Sequence, residues 1–208
     1  MKTFYAFLIL CSVVFVSCSK DEILPNTISS CQVPDSVGDY WKYSIQSANG
    51  EQQGFLEVRI IKRSILPDGR PVTTWIYSYP QFTDTVYKVL TDTSLEEYAV
   101  FPGTTTYNSP NMRYVFPLET GNKWAISPSI FADSVEVASE VTIQTPAGPF
   151  EHTFQLNMIG THHIGNYWNN SQYWVTPYIG ITRMVYIVYN LGPDIHNGTY
   201  DLVEYRLH

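Results

Sequence analysis

The sequence predicts an all-β fold: a single domain of about twelve antiparallel strands in a curved sheet, a half-barrel or a sandwich. Apolar and polar residues alternate along the chain from about residue 33, which is the pattern of strands with one buried face. Turn residues interrupt this alternation at short intervals, and no segment combines a 3.6-residue period with helix caps. With 208 residues, 44% of them hydrophobic and 15% aromatic, the chain can bury one sizeable core.

Individual strands are bounded by turn chemistry. Asn49-Gly50, Pro67-Asp68-Gly69, Pro146-Ala147-Gly148 and Asn197-Gly198 are sequences that favour tight turns between antiparallel strands. In chain order, the predicted strands are 40–47, 53–63, 71–79, 84–91, 95–101, 112–117, 123–127, 134–145, 149–163, 172–176, 180–190 and 198–207.

The first 17 residues are typical of an export signal. Lys2 precedes an uncharged apolar run of 13 residues, Phe4 to Val16, which is shorter than the roughly 20 residues that a membrane-spanning helix needs. The run ends at Ser17-Cys18, and this arrangement resembles a bacterial lipoprotein signal. The resemblance implies cleavage before Cys18, acylation of that cysteine and a permanent attachment to a membrane. The alternative is an ordinary secretory signal with an incidental cysteine.

The residues that follow Cys18 refine the predicted location. Lys20, Asp21 and Glu22 resemble the lysine-and-acid tag that accompanies export to the outer face of the outer membrane in Bacteroidota. The resemblance implies a lipid-anchored protein of the outer membrane that faces the cell exterior. Residues 18–32 are rich in Ser, Asn and acids, which predicts a flexible tether before the β domain of residues 33–208.

Cysteine usage argues against a disulfide framework. Of the three cysteines, Cys11 would leave with the signal and Cys18 would carry lipid. Cys31 then has no intramolecular partner, and we expect it to be a small buried residue rather than a nucleophile, because no neighbouring motif would activate it.

Two segments share the pattern Pro-x-x-x-Gly-x-x-Trp, one from Pro34 to Trp41 and one from Pro117 to Trp124. Each predicts a turn that leads into a strand whose tryptophan packs in the core. The recurrence indicates an internal duplication with repeats starting near 34 and 117, and the alternative is a turn type used twice.

The second half resembles a known group of proteins. Residues 141–150 (VTIQTPAGPF) and 173–183 (YWVTPYIGITR) match a strand, Pro-Ala-Gly-x-Phe turn and aromatic-x-x-Pro pattern of uncharacterised Bacteroidota lipoproteins. The resemblance extends over residues 33–208 and implies a curved antiparallel sheet similar to the half-barrels of lipoprotein carriers. Because its motifs are turns and core aromatics, it implies architecture rather than activity.

Charge and motifs exclude several functions. Twelve basic and nineteen acidic residues give a net charge of −7 without a basic run, which argues against nucleic acid. No motif for a cofactor or a catalytic nucleophile is present, and no metal site is expected, because His162 and His163 are adjacent and His152 is ten residues away. Strict alternation places His152 on the apolar face between Phe150 and Phe154, so we treat it as a candidate ligand contact.

An aromatic and amide-rich segment at residues 167–174 (YWNNSQYW) is the most suggestive binding feature. Trp168, Tyr173 and Trp174 could stack on sugar rings while the amides bond hydroxyls. The alternative is a hairpin turning at Asn169-Asn170 with packed aromatics.

Three positions match an Asp-Ser/Thr-aliphatic sequence that Bacteroidota use for O-glycosylation. The candidate acceptors are Ser36, Thr85 and Ser134.

Three functions remain open. The first is a non-enzymatic surface lipoprotein that binds an apolar or amphipathic ligand, or a partner protein. The second is a glycan-binding accessory module for polysaccharide uptake, which requires exposed Trp168 and Tyr173. The third is an envelope hydrolase, which requires a cleft containing histidine and carboxylate side chains, such as His152 beside an acid from a neighbouring strand.

Overall fold

The computed structural model describes residues 33–102, 110–126, 134–160, 168–189 and 197–208, which contain fourteen β-strands and no helix. No helix long and apolar enough to cross a membrane is present in these ranges. The strands are β1 (Tyr40–Ser47), β2 (Gln52–Ile65), β3 (Pro71–Ser78), β4 (Thr83–Leu90), β5 (Ser94–Tyr98), β6 (Met112–Val115), β7 (Lys123–Ala125), β8 (Ser134–Thr145), β9 (Gly148–Ile159), β10 (Trp168–Asn169), β11 (Gln172–Thr176), β12 (Gly180–Tyr186), β13 (Val188–Tyr189) and β14 (Gly198–Arg206).

Twelve of these strands form one antiparallel sheet in the order β6-β5-β4-β3-β2-β1-β14-β12-β11-β9-β8-β7, while β10 and β13 pair as a short ribbon. The sheet curls into a nearly closed barrel whose two edge strands are β6 and β7. The indole Nε1 of Trp124 on β7 donates a hydrogen bond of 2.7 Å to the carbonyl oxygen of Arg113 on β6 and so links the two edges. The predicted all-β class and strand number are therefore confirmed.

The sheet consists of two successive six-stranded meanders. The first contains β1 to β6, and the second contains β7, β8, β9, β11, β12 and β14; they join where β1 pairs with β14. The two Pro-x-x-x-Gly-x-x-Trp segments precede β1 and β7, the first strand of each meander. Trp41 is 2% exposed, and Trp124 is half-buried against the same core. This arrangement is the one that a tandem duplication would produce, and the duplication itself stays a prediction.

The strand ends define two rims. At the lower rim the chain runs into β1 at Tyr40 and out of β14 at Arg206, and the β2–β3, β4–β5, β8–β9 and β11–β12 connections also lie there. At the upper rim lie the β1–β2 and β3–β4 turns, and the strand ends that flank residues 103–109, 127–133, 161–167 and 190–196. The chain thus approaches the barrel from the lower rim.

The interior is one hydrophobic cluster shared by both meanders. Its centre includes the stacked indoles of Trp41 and Trp75, whose ring centroids are 5.1 Å apart. Trp41 also donates from Nε1 to the carbonyl oxygen of Ile179 at 2.7 Å, which ties β1 to the β11–β12 turn. This bond satisfies a buried indole donor and links the two meanders near the lower rim.

Candidate functional site

A cavity of about 40 Å³ lies inside the barrel, on the side of the lower rim. It has room for about three water molecules or for the end of a hydrocarbon chain. Aromatic and aliphatic side chains form nearly all of its surface, and the one charged group is an ammonium. The lining residues are Val33, Trp41, Tyr43, Val58, Trp75, Tyr77, Lys88, Leu95, Tyr114, Phe116, Val175, Gly180, Ile181 and Met184.

Lys88 supplies the ammonium of this cavity. Alternation along β4 directs it inward with Val86 and Leu90, and its side chain is only 3% exposed. The Nζ atom lies 3.0 Å from Oε2 of Glu97 and 4.1 Å from the centre of the Trp75 ring. Because Lys88 and Glu97 face each other in the β4–β5 register, the ion pair is built by strand pairing and not by a local motif.

Tyrosine hydroxyls surround the aliphatic and aromatic lining. Tyr43 donates a hydrogen bond of 2.8 Å to the carbonyl oxygen of Ile181. Burial raises the pKa of Tyr77 and of Tyr114 well above the usual value, and the nearby Glu97 carboxylate raises both further. These hydroxyls are therefore neutral at physiological pH. The cavity thus combines apolar surface, neutral hydroxyls and one buried ion pair, a set suited to binding.

His152 does not lie on the apolar face, so the alternation argument is wrong at this residue. A bulge shifts the β8–β9 register, so that Val141 pairs with Thr153 but Ile143 pairs with Phe150. His152 has φ of 50° and an exposed side chain, and Thr153 takes the buried position. The strand pattern of residues 149–159 gives no sign of this bulge.

The histidine instead forms a surface pair. Nδ1 of His152 lies 2.7 Å from Oε1 of Glu140, with side chains 66% and 45% exposed. A hydrolase site requires such a pair inside a cleft, and this pair lies on the outer surface. In the described part of the chain no three His, Cys, Asp or Glu side chains are placed to hold a metal ion.

The aromatic segment at 167–174 is not a hairpin turning at Asn169-Asn170. Trp168 pairs with Tyr189 in the β10–β13 ribbon, whereas Tyr173 belongs to β11 in the main sheet. Tyr173 is 6% exposed, and its ring packs edge-on against that of Tyr186. Tyr173 therefore lacks the exposure that the glycan-platform hypothesis requires.

Trp174 is half-buried on the opposite face of β11. Its ring lies 5.9 Å from the guanidinium carbon of Arg183, and that arginine also pairs with Asp201 at 2.5 Å. This contact keeps Trp174 packed against its own sheet. The side chain of Trp168 lies outside what the structure describes.

The remaining predicted sites are placed as follows. Cys18, with the residues of the export tag, and Cys31, His162 and His163 lie outside the described residues. Ser36 is half-buried in the turn before β1, where its amide donates to Oδ2 of Asp39 at 2.9 Å. Thr85 is exposed on β4, and Ser134 is half-buried at the start of β8. Modification of the three hydroxyls stays a prediction.

Sequence reasoning did not find Lys88 and the tyrosines around the cavity. Lys88 lies in the predicted strand 84–91, and Glu97 lies in the next predicted strand, two elements joined by the turn sequence Thr91-Asp92-Thr93. A register for that hairpin would have paired the two residues. An inward-facing lysine in an alternating strand is the signal that could have drawn attention to the pair.

The fold is shared with a solved bacterial structure. A protein assigned as exported, with a YmcC-like fold, from Bacteroides fragilis is 16% identical, with a TM-score of 0.50 over 85% of this chain and 99% of that chain. A protein assigned as a lipoprotein from Parabacteroides distasonis is 14% identical, with a TM-score of 0.48 and the same coverage. No protein-family profile and no curated protein matches the sequence. The predicted resemblance to Bacteroidota lipoproteins is confirmed at the level of the fold.

Proposed function

We propose that the chain is a lipid-anchored protein of the outer membrane, facing the cell exterior, that binds the apolar part of an amphipathic ligand without transforming it. The observation that carries this proposal is the cavity at the lower rim. Apolar side chains give such a cavity affinity for hydrocarbon, because the contact removes apolar surface from water.

The polar groups of the cavity favour an amphipathic ligand over a purely apolar one. The Lys88 ammonium has a counterion in Glu97 and a ring face in Trp75, so its charge is already compensated before a ligand arrives. A ligand headgroup that bonds Lys88 would share this existing pair, at a smaller desolvation cost than an isolated ion would incur. The cavity volume of about 40 Å³ limits the bound part to a chain end or a small group.

The envelope location is supported by two independent features. The first is the apolar run ending at Cys18, which resembles a lipoprotein signal. The second is the fold shared with a protein of Bacteroides fragilis that is assigned as exported. The domain begins at the lower rim, so a lipid on Cys18 would place that rim, and the cavity with it, toward the membrane.

Binding can be measured through the tryptophans that line the cavity. Decanoate and decanol, which share a hydrocarbon chain and differ in headgroup charge, should each change the fluorescence of Trp41 and Trp75 in a saturable manner. Ile181→Phe should weaken binding on the order of tenfold, because the larger side chain occupies the cavity. Val185→Phe is the matched control, since Val185 is also half-buried on β12 but does not line the cavity.

The same measurement can contradict the proposal. If neither probe gives a saturable change in the folded protein, or if Ile181→Phe and Val185→Phe weaken binding equally, the cavity is not the binding site. Anchoring is tested separately, because Cys18→Ala should move the protein from the membrane fraction to the soluble fraction.

A further inference from the structure

The lower rim carries an arm of unusual charge. Residues 59–70 (RIIKRSILPDGR) contain four of the chain's twelve cations and one carboxylate, a local charge of +3 in a chain whose net charge is −7. We call this segment, which comprises the end of β2 and the β2–β3 turn, the lower-rim arm. Arg59 pairs with Glu57 and Arg63 with Asp35, while Arg70 pairs with Asp68 and lies 3.5 Å from Glu96. These carboxylates compensate the three guanidinium groups. Lys62 is exposed and has no ion pair within the described ranges.

Large apolar side chains are exposed on the same rim. Ile65 is 66% exposed and Ile61 is 52% exposed, both in the lower-rim arm. Val37, in the turn before β1, is 50% exposed, and Tyr178, in the β11–β12 turn, is 49% exposed. In the described residues only two other large hydrophobics, Phe55 and Val100, are exposed to this degree. Exposed apolar surface concentrated in one place marks a site of contact.

Hydrogen bonds and packing hold these side chains on one continuous surface. The amide of Gly38, next to Val37, donates to the carbonyl oxygen of Ile60 at 2.9 Å, so this turn lies against the lower-rim arm. On the other side, Pro34 and Trp41 pack close to Gly180 at the β11–β12 turn that presents Tyr178. The segment 34–41 thus bridges the arm and the turn.

The length of chain between Cys18 and the domain limits which partners the lower rim can contact. Fourteen residues, 19–32, separate Cys18 from Val33 at the lower rim. If this segment is flexible, as its composition predicts, its end-to-end distance is about 20 Å. If Cys18 is lipidated, the tether keeps the lower rim close to the bilayer. The effective concentration of lipid at the rim is then high, so that even a weak attraction gives frequent contact.

We propose that the lower rim seats on the lipid surface, with Ile61, Ile65, Val37 and Tyr178 inserted among the headgroups and the Lys62 ammonium facing phosphates. Aliphatic and tyrosine side chains flanked by Lys and Arg are the composition that binds the membrane interface. The proposal rests on the lipid anchor of the proposed function and adds a fixed orientation, in which the cavity opens toward the bilayer.

The test uses the full acylated chain in vesicles of phosphatidylethanolamine and phosphatidylglycerol. An environment-sensitive fluorophore is attached to Ile65→Cys, Tyr178→Cys or, at the upper rim, Gln81→Cys, each with Cys31→Ser. Spin-labelled lipids should quench the fluorophore at residues 65 and 178 on the order of threefold more than at residue 81. Raising the salt concentration should reduce this quenching, because it screens the contact between the arm and phosphates.

Two further variants keep the fluorophore at one position and change a side chain elsewhere, so that the fluorophore itself cannot cause the difference. With the fluorophore on residue 178, Ile65→Ser should lower the quenching about twofold, since one inserted side chain is lost. Val100→Ser, which changes an exposed residue away from the lower rim, should leave it unchanged. Equal quenching at residues 65 and 81 in protein that floats with the vesicles overturns the seating and leaves the anchor intact. Protein that does not float overturns the anchor, and the seating with it.

Discussion

The two meanders have the same strand order but different interiors. The first meander lines the barrel with rings and one ion pair, contributed by Trp41, Trp75, Tyr77, Lys88 and Glu97. The second meander contributes aliphatic and Met side chains that are at most 1% exposed, together with the buried rings of Tyr173 and Tyr200. The aliphatic and Met side chains include Val135, Val137, Leu156, Met158 and Leu202.

Polar groups follow the same division. In the second meander the buried hydroxyls of Thr153, Thr176 and Thr182 bond one another at 2.8 and 3.1 Å, so their polar atoms are satisfied internally. In the first meander Lys88 faces a cavity. Both meanders line the cavity, the second through Val175, Gly180, Ile181 and Met184, but its charged group comes from the first. Close packing elsewhere in the barrel offsets the stability that the cavity costs.

The largest expected effect is alkaline unfolding of both meanders together. Burial raises the pKa of Tyr77 and Tyr114 in the first meander and of Tyr173 and Tyr186 in the second well above 10. A raised pKa in the folded state stabilises it below pH 10 and loses that contribution above pH 10, where the unfolded chain ionises first. Four such groups lower the unfolding free energy by about 5 kcal/mol per pH unit.

Circular dichroism and tyrosinate absorbance, followed from pH 9 upward, check this expectation. Both signals should change in one steep transition. Tyr77→Phe in the first meander and Tyr173→Phe in the second should each reduce the slope of unfolding free energy against pH by about 1.4 kcal/mol per pH unit. Ionisation of all tyrosines with a midpoint near pH 10, in a chain that keeps its native circular dichroism, would contradict the burial of these hydroxyls.

The next effect concerns the junction of the meanders. A Cβ atom at Gly198 on β14 would lie 2.2 Å from the backbone oxygen of Gln46 on β1. Gly198→Ala should therefore destabilise the protein by about 4 kcal/mol, because backbone on both sides of the junction must move. Gly50→Ala is the control: its φ of 84° strains any residue with a side chain, but nothing lies within 4 Å of its Cβ, so about 1–2 kcal/mol is expected. If urea denaturation shows equal losses of unfolding free energy for the two variants, the backbone at the junction of the meanders can shift to accommodate the added methyl group.

The ion pair between Lys88 and Glu97 should give a smaller effect, and the loss of stability should depend on which of the two residues is replaced. Glu97→Gln leaves the Lys88 ammonium, 3% exposed, without a counterion and should cost about 3 kcal/mol. Lys88→Met leaves the Glu97 carboxylate, which is 25% exposed and can be hydrated, so about 1–2 kcal/mol is expected. The double variant should regain part of either loss.

Glu140→Gln provides the comparison from the second meander. Its exposed pair with His152 should contribute less than about 0.5 kcal/mol. A loss for Glu97→Gln as small as that for Glu140→Gln would mean that the pair in the first meander is solvated.

A further small effect, in the direction of higher stability, tests the bulge of the second meander. His152 has φ of 50°, a conformation that glycine adopts without strain. His152→Gly should stabilise the protein by about 0.5–1 kcal/mol, since relief of strain exceeds the loss of one surface pair. Thermal unfolding measures the change, and a destabilisation would indicate that the histidine is held there by interactions beyond its pair with Glu140.

The strands could be predicted closely because their signals are local. Alternation and turn residues gave 40–47, 134–145 and 172–176 with the bounds that the structure has. Predicted strand 149–163 ends earlier, at Ile159, and strand 180–190 is interrupted at Ile187. Predicted strand 95–101 ends at Tyr98. β9 ends opposite Ser134, where β8 begins, and β12 ends opposite Gly198, where β14 begins. In these two cases the β propensity of the sequence continues beyond the end of the paired strand.

The site could not be predicted because it depends on pairing between distant residues. The β-bulge at His152 is visible only in the register with β8, and the cavity forms only when β11 and β12 come beside the first meander. Alternation alone predicts that the side chains of Glu96 and Glu97 point to opposite faces of β5. Which of the two faces the interior depends on the closure of the barrel.

The shortness of the two edge strands affects how the domain behaves when many copies lie close together. β6 has four residues and β7 has three, and the Trp124 indole covers the Arg113 carbonyl between them. Long free edges of a sheet pair with edges of other molecules and lead to aggregation. Many copies of this domain could therefore stand side by side at high density without joining into extended intermolecular sheets.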